Sequence, residues 1–256
     1  MPAVSEYFRG LLALAESTAL AAGMQLIAQK AQWSSIEAEA GREVKIKADR
    51  LVEAMILGNL QGSTDFPVLT EERGWQEGFS DHQYLWVVDP LDGSYNYYKN
   101  IPVAAVSIAL YQGKMPVLGV VYDFNRHELF SGLVSEGAWL NKRPISVSDI
   151  KESERGILYT GFPVASDFND KNSVEFMQFA RQWRKVRMIG SAAISLAYVA
   201  SGRAEYYHER NTMFWDVAAG LALVVAAGGH VEFFGGELDT PQDVHANNGL
   251  VVHRCR

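Results

Sequence analysis

Tyr84-Leu85-Trp86-Val87-Val88-Asp89-Pro90-Leu91-Asp92-Gly93-Ser94-Tyr95-Asn96 decides how this chain is read, because an apolar run there delivers two acids and a glycine turn. The run from Tyr84 to Val88 has the length and the valine-rich, aromatic composition of a buried strand, which puts Asp89 at its carboxyl end. Pro90 fixes its own φ and biases Asp89 away from helix, while Gly93 permits a sharp reversal and close approach of backbone to a ligand. The carboxylates of Asp89 and Asp92 are therefore expected to converge on one point, as a metal-binding phosphate site requires. An isolated Asp-Gly pair is an ordinary turn. The whole string asks for more than a turn.

Three further acids stand at the ends of other predicted elements. Glu71 follows the short apolar run Val68-Leu69-Thr70 and is itself followed by Glu72. Asp216, in Phe214-Trp215-Asp216-Val217-Ala218-Ala219-Gly220, precedes an apolar helix predicted over 217 to 227, where it also suits an N-cap. Asp49, in Lys45-Ile46-Lys47-Ala48-Asp49, opens a helix predicted over about 48 to 60, and a cap is again the plain reading. Arg187-Met188-Ile189-Gly190-Ser191-Ala192-Ala193 reads as a Gly-Ser start to a helix over 191 to 201.

Together these strings closely resemble the motifs of the inositol monophosphatase family, which includes archaeal-type fructose bisphosphatases and nucleotide bisphosphate phosphatases. The run from Trp86 matches W-x-x-D-P-L/I-D-G-T-x-N-F, with Pro102 where the family often has a proline. Thr70-Glu71-Glu72 is similar to its G-E-E or S-E-E segment, and Arg187 to Ala193 to its R-x-x-G-T/S-A-A turn. Ala204-Glu205-Tyr206-Tyr207-His208-Glu209 resembles A-D-x-Y-x-E, and Phe214 to Gly220 followed by Ala227-Gly228-Gly229 resembles W-D-x-A-A-G…E-A-G-G. Ala246-Asn247-Asn248-Gly249 echoes the closing strand, so the likeness spans about residues 45 to 252. His245 is assigned no role.

The resemblance implies an α+β fold, a layered αβαβα sandwich, and a Mg²⁺-dependent phosphomonoesterase, with Mn²⁺ as an alternative cation. It implies that Glu71, Asp89 and the Leu91 carbonyl hold one metal that lowers the pKa of the attacking water. Asp92 and Asp216, with Asp89 bridging, hold a second. Ser94, backed by Asp49, orients the water. Asp92, Gly93, Ser94, Gly190, Ser191, Ala192, Glu209 and Asp216 line the substrate, which is a small polyol or sugar phosphate of the inositol monophosphate kind. Fructose bisphosphate, histidinol phosphate and 3′-phosphoadenosine 5′-phosphate stay open as substrates. So does a non-catalytic regulator built on the same fold. A homodimer is also implied. The chain departs from the pattern at Ser94 for Thr, Tyr97 for Phe and Ala226 for an acid, and no hydroxyl residue precedes Asp49.

Composition narrows the field independently. At 256 residues and 48% apolar the chain can bury a large core. A net charge of -7 argues against non-specific binding of nucleic acid or anionic membrane. The single Cys255 excludes an intramolecular disulfide and suggests a reducing cytoplasm, and the N-terminus lacks the pattern of a signal peptide. Apolar positions from Leu11 to Ile27 predict a long amphipathic helix over 5 to 31 that packs on the core. Strands are expected near 66 to 70, 84 to 89, 103 to 111, 116 to 123 and 128 to 134, with turns at Gln112-Gly113-Lys114 and Asn125-Arg126-His127 making the last three a meander. A polar stretch from Ser146 to Glu154 divides the chain into an N-terminal α+β part, 1–147, and a C-terminal α/β part, 148–256, the latter with a further helix over 174 to 185. P-loop, dinucleotide-fold and zincin motifs are absent, and scattered histidines leave hard oxygen ligands dominant. Ser148-Asp149-Ile150-Lys151 formally fits S-x-x-K, but its polar setting gives it no catalytic reading.

Overall fold

The nine residues Tyr84–Asp92 form a central strand that is buried on both faces, and the layers of the molecule follow from it. A computed structural model describes residues 2–40, 43–75, 83–162 and 169–251; Cys255 lies outside them. The chain opens with α1 (Pro2–Ala28), α2 (Lys30–Trp33), a hairpin of β1 (Ile36–Ala40) and β2 (Glu43–Ile46), and α3 (Lys47–Gln61). There follow β3 (Val68–Thr70), β4 (Gly74–Trp75), the central strand β5 and α4 (Ser94–Tyr98). The meander is β6 (Ala105–Gln112), β7 (Met115–Asp123) and β8 (Glu128–Leu133), extended by β9 (Gly137–Leu140) and β10 (Arg143–Ile145). The remainder is β11 (Ile157–Thr160), α5 (Asp170–Ala180), β12 (Lys185–Arg187), α6 (Ala192–Ala200), β13 (Tyr206–Thr212), α7 (Phe214–Ala226), β14 (His230–Phe234) and β15 (Gln242–Asn247).

An eight-stranded sheet runs β10-β9-β8-β7-β6-β5-β3-β4, and a five-stranded sheet runs β12-β11-β13-β15-β14. Strand alternation sends Trp86 and Val88 of β5 into a core shared with α1 and α3, and Leu85 and Val87 into one shared with α6 and α7. The helices α6 and α7 fill the space between the two sheets, and α5 covers the far side of the smaller sheet through Phe179, which packs near Tyr206 and His208. The layers are thus α, β, α, β, α. That is the expected sandwich.

The meander and both of its turns are present, and β5, α3 and α6 fall close to their predicted bounds. Three bounds differ. The helix expected over 174 to 185 is α5, which ends at Ala180; the chain then turns so that Trp183 packs against Tyr206 and residues from Lys185 pair with β11. The last predicted helix begins at Phe214 because that ring is buried against Tyr111 and Phe233, which leaves Asp216 inside the first turn and not at the cap. The N-terminal helix starts earlier and ends at Ala28, with α2 a separate turn.

Residues Ser5–Ala28 are long and apolar enough, by composition alone, to cross a membrane. In the fold their apolar stripe of Leu12, Ala15, Ala19, Ala22 and Leu26 is buried in the core beside α3. The flank of that stripe is pinned by Arg9 to Glu136 at 2.7 Å and by Lys142 to Glu16. It is a core helix.

Close packing of α7 on the large sheet depends on Gly119 of β7, where an added Cβ would collide with the Ala219 carbonyl oxygen. Gly119→Ala is expected to destabilise the protein by about 3 kcal/mol, lowering Tm by roughly 10 °C. Gly10→Ala, at an exposed helical position with open space around it, is expected to raise stability by about 0.5–1 kcal/mol. Thermal unfolding of the two variants checks both signs.

Candidate active site

Asp89 and Asp92 are three residues apart, so a regular strand would send their side chains to opposite faces. The ladder between β5 and β6 is irregular there: Asp89 pairs with Ser107 and Asp92 with Ala105, so β5 carries one extra residue across the interval. That bulge restores the parity and brings both acids to one side. Asp89 is 2% exposed, and its Oδ1 accepts from the Leu91 N–H at 2.9 Å.

Gly93 then adopts φ +81° and caps α4, whose first residue is Ser94. A Cβ at Gly93 would stand 2.8 Å from the Val103 carbonyl oxygen and 3.0 Å from that of Gly190, so two backbones meet here with no room for a side chain. Asn96 seals the junction, its Nδ2 lying 2.9 Å from Val103 O, 2.8 Å from Ile189 O and 3.1 Å from Gly190 O. Asp92 is held from the other direction. Its oxygens accept from the Ser191 hydroxyl and from the amides of Ala192 at 3.2 Å and Ala193 at 3.0 Å. Ser191 also caps α6 by accepting from Ile194 N at 3.2 Å, so the predicted Gly-Ser helix start and the contact with the DPLDGS segment are one structure.

Asp49 and Asp216 occupy matching positions, each the third residue of its helix. Asp49 accepts from Ile46 N at 3.0 Å, and Asp216 from Met213 N at 3.3 Å and Thr212 Oγ1 at 3.2 Å. Helix N-termini favour acids, which offsets part of the cost of holding them out of water. Glu71 lies in the turn after β3, and Glu209 on β13 accepts from the Tyr207 hydroxyl at 2.8 Å. Glu209 also lies against Gly161, where an added Cβ would come within 2.7 Å of its Oε1.

The charges of these groups act on one another. Burial pushes Glu71 and Asp89 well above the ordinary carboxylate range, and neighbouring acids push them further: Asp49, Asp216 and Glu72 act on Glu71, while Glu71, Asp92 and Asp216 act on Asp89. Asp216 is raised to about 8 by burial and by Asp92 and Glu209. Asp49 and Glu209 are each raised to about 7, chiefly by burial, and Asp92 to about 6 against the pull of its hydrogen bonds to α6. Among the described residues no three His, Cys, Asp or Glu side chains are closed into a ready ligand shell. The donor chemistry nonetheless fits a hard divalent cation: every member is a carboxylate, mutual repulsion is what such a cation relieves, and Asp49 Oδ1 is buried without a hydrogen-bond partner.

Sequence reasoning left several contributors without a role. Asn96 is visible in the motif but only the fold shows what its amide joins. Tyr207 and Thr212 hold Glu209 and Asp216 through hydroxyls two and four residues away, at spacings that carry no signal by themselves. Glu205, beside the predicted Glu209, is structural: it accepts from Ser148 Oγ at 2.8 Å and Ile157 N at 2.6 Å. That bond also absorbs Ser148 of the S-x-x-K string.

Residues 10–254 match the model of the inositol monophosphatase family. The chain belongs to that family. It is 40% identical over 227 residues, 87% of this chain and 78% of the relative, to an inositol-1-monophosphatase from Synechocystis sp.. It is 39% identical over 196 residues, 76% of this chain and 70% of the relative, to Nus factor SuhB from Xylella fastidiosa. Among solved structures, inositol monophosphatase from Anabaena (Nostoc) sp. aligns with a TM-score of 0.81 at 36% identity, covering 95% of this chain and 92% of that one. Extragenic suppressor protein suhB from Bartonella henselae aligns at 0.83 with 31% identity, covering 94% and 95%. This inositol monophosphatase family member is a phosphoric monoester hydrolase of a metal-dependent family.

Ser191→Ala removes the cap of α6 and one donor to Asp92 together, so a loss of about 2 kcal/mol is expected in denaturant unfolding. Ser191→Thr, which keeps the hydroxyl, is expected to recover most of it.

Proposed function

We propose that this enzyme hydrolyses a small polyol or sugar phosphate, of the inositol monophosphate kind, with Mg²⁺ as cofactor and Mn²⁺ as its substitute. The observation that carries the reading is the bulge in β5 that turns Asp89 and Asp92 to one side at the Gly93–Gly190 junction, where Glu71 and Asp216 also act on Asp89. Glu71, Asp89 and the Leu91 carbonyl would hold one cation, and Asp92, Asp216 and Asp89 a second. When bound, the cations supply Lewis-acid polarisation of the phosphate and lower the pKa of water.

The remaining work belongs to the chain. The amides of Gly93 and Ser94 receive phosphate oxygens, the backbone being able to approach because Gly93 has no side chain. Ser94 Oγ orients the attacking water, and Asp49, whose Oδ1 has no other partner, accepts the proton on that side. Glu209, Gly190, Ser191 and Ala192 face the alcohol, so they select which polyol fits. Acids from either side of residue 147 supply the site, in keeping with a division into parts 1–147 and 148–256. A homodimer working in the cytoplasm completes the reading. The relatives named Nus factor SuhB support a second one, in which a surface of this fold also serves a non-catalytic regulatory role.

A phosphate-release panel over inositol monophosphate, fructose 1,6-bisphosphate, histidinol phosphate and 3′-phosphoadenosine 5′-phosphate, with Mg²⁺ and with chelator, tests the proposal. Hydrolysis of the first that chelator abolishes and Mg²⁺ restores is the expected result; silence across the panel favours the regulator. Asp89→Asn is expected to lower kcat by at least about a thousandfold with the fold intact, since the amide removes the charge shared between both cations.

Glu209→Gln is expected to raise KM for the polyol phosphate about tenfold while changing turnover of p-nitrophenyl phosphate by less than about threefold. Equal losses on both substrates would move Glu209 into the catalytic set.

A further inference from the structure

The acid cluster contains a lysine that none of these roles uses. Lys45 is the next-to-last residue of β2, one position before the buried Ile46 and four before Asp49. Strand alternation turns Ile46 into the core and Lys45 the other way. The Lys45 ammonium lies 3.1 Å from Glu72 Oε2, with the Lys45 side chain 39% exposed and that of Glu72 14%. Glu72 directly follows Glu71, and β2 packs against α4, the helix that begins with Ser94. Lys45 also acts electrostatically on both Glu71 and Asp49. Lys47, two residues on, acts instead on the exposed Glu37, which pairs with Arg50. Of these two lysines, one serves the outer surface and one the acids.

The cluster is thereby unequal at its two ends. Around Asp92, Asp216 and Glu209 the groups that act are other acids, hydroxyls and backbone amides. Around Glu71 and Asp49 there is a full positive charge held in place by an ion pair. A fixed ammonium and a divalent cation compete for the same carboxylates, and at the effective dielectric of a partly exposed site one like charge several ångströms away changes affinity by about tenfold.

We propose that Lys45 is a built-in counter-ion of the acid cluster, weakening divalent-cation binding at the Glu71 end relative to the Asp216 end. The proposal rests on the metal reading given above and concerns only how its two halves differ. A lysine that merely tied the β1–β2 hairpin down would give the opposite sign, because cutting the tie would loosen the site and weaken binding.

Mn²⁺ alone, titrated into chelator-treated full-length protein and followed by calorimetry and by the electron paramagnetic resonance of free Mn²⁺, separates these cases. Lys45→Gln is expected to tighten one class of Mn²⁺ binding about tenfold and to leave the other within about threefold of wild type. Lys45→Arg is expected to remain within about threefold of wild type, because the charge is kept, and so is Lys47→Gln, because that charge lies elsewhere. Lys45→Met serves if the glutamine variant does not fold, as judged by circular dichroism. Unchanged or weaker Mn²⁺ binding in folded Lys45→Gln and Lys45→Met overturns the counter-ion role. A wild-type protein that binds no Mn²⁺ overturns the metal reading beneath it, a distinct result.

Discussion

Like charges held together out of water are the constraint on which this structure depends. Two carboxylates about 4 Å apart repel by about 4 kcal/mol at an effective dielectric near 20, while a hydrogen bond to a charged group returns about 1.5–3 kcal/mol. Four of the acids have such a donor: Asp89 the Leu91 amide, Asp92 the start of α6, Asp49 and Asp216 the amides at the starts of their own helices. The donors are enough to fix the side chains but not to cancel the repulsion, and the carboxyl groups accordingly stay above their ordinary range. What remains uncompensated is a demand for positive charge, and the scaffold keeps that demand in place by not letting the acids swing out to water.

The same logic explains why the helices between the sheets are so apolar. Nearly all of α7 after Asp216 is buried, because it contacts the large sheet on one side and the small sheet on the other. Its N-terminus is therefore located by packing on both faces, and Asp216 with it. Gly119 and Gly220 allow this: the first lets the α7 backbone lie directly on β7, and the second accepts Leu196 of α6. Precision at the site is a product of close packing in the core behind it.

Features that were legible in the sequence are those set by local pattern. The β5 string, the meander with its Gln112-Gly113-Lys114 turn, and the helix starts at Asp49 and Ser191 all declare themselves within a window of a dozen residues. The β1–β2 hairpin did not, since Ile36-Glu37-Ala38-Glu39-Ala40 alternates charge with alanine and becomes a strand only by pairing with β2. The three residues of β12 are strand because β11 lies parallel beside them, which no local propensity encodes. At the site the acids were readable as residue types at element ends, whereas their partners were not. The bond from Ser191 to Asp92 joins residues 99 apart in sequence and exists only once the sheet and α6 have been assembled.

The reaction class is accordingly easier to read than the substrate, and the anchoring of the side chains gives the reason. Asp92 is tied across β5 and the start of α6, and the Gly93–Gly190 contact leaves no space for a side chain, so any change there disturbs several elements at once. Glu209, by contrast, is held by Tyr207 of its own strand, two residues away on the same face. Its surroundings can be altered without moving the acids of β5, α3 or α7. On the proposed assignment, a fold built in this way keeps its phosphate chemistry while its alcohol side changes, because the acids of β5 and the start of α6 are tied to several elements and Glu209 is tied to one.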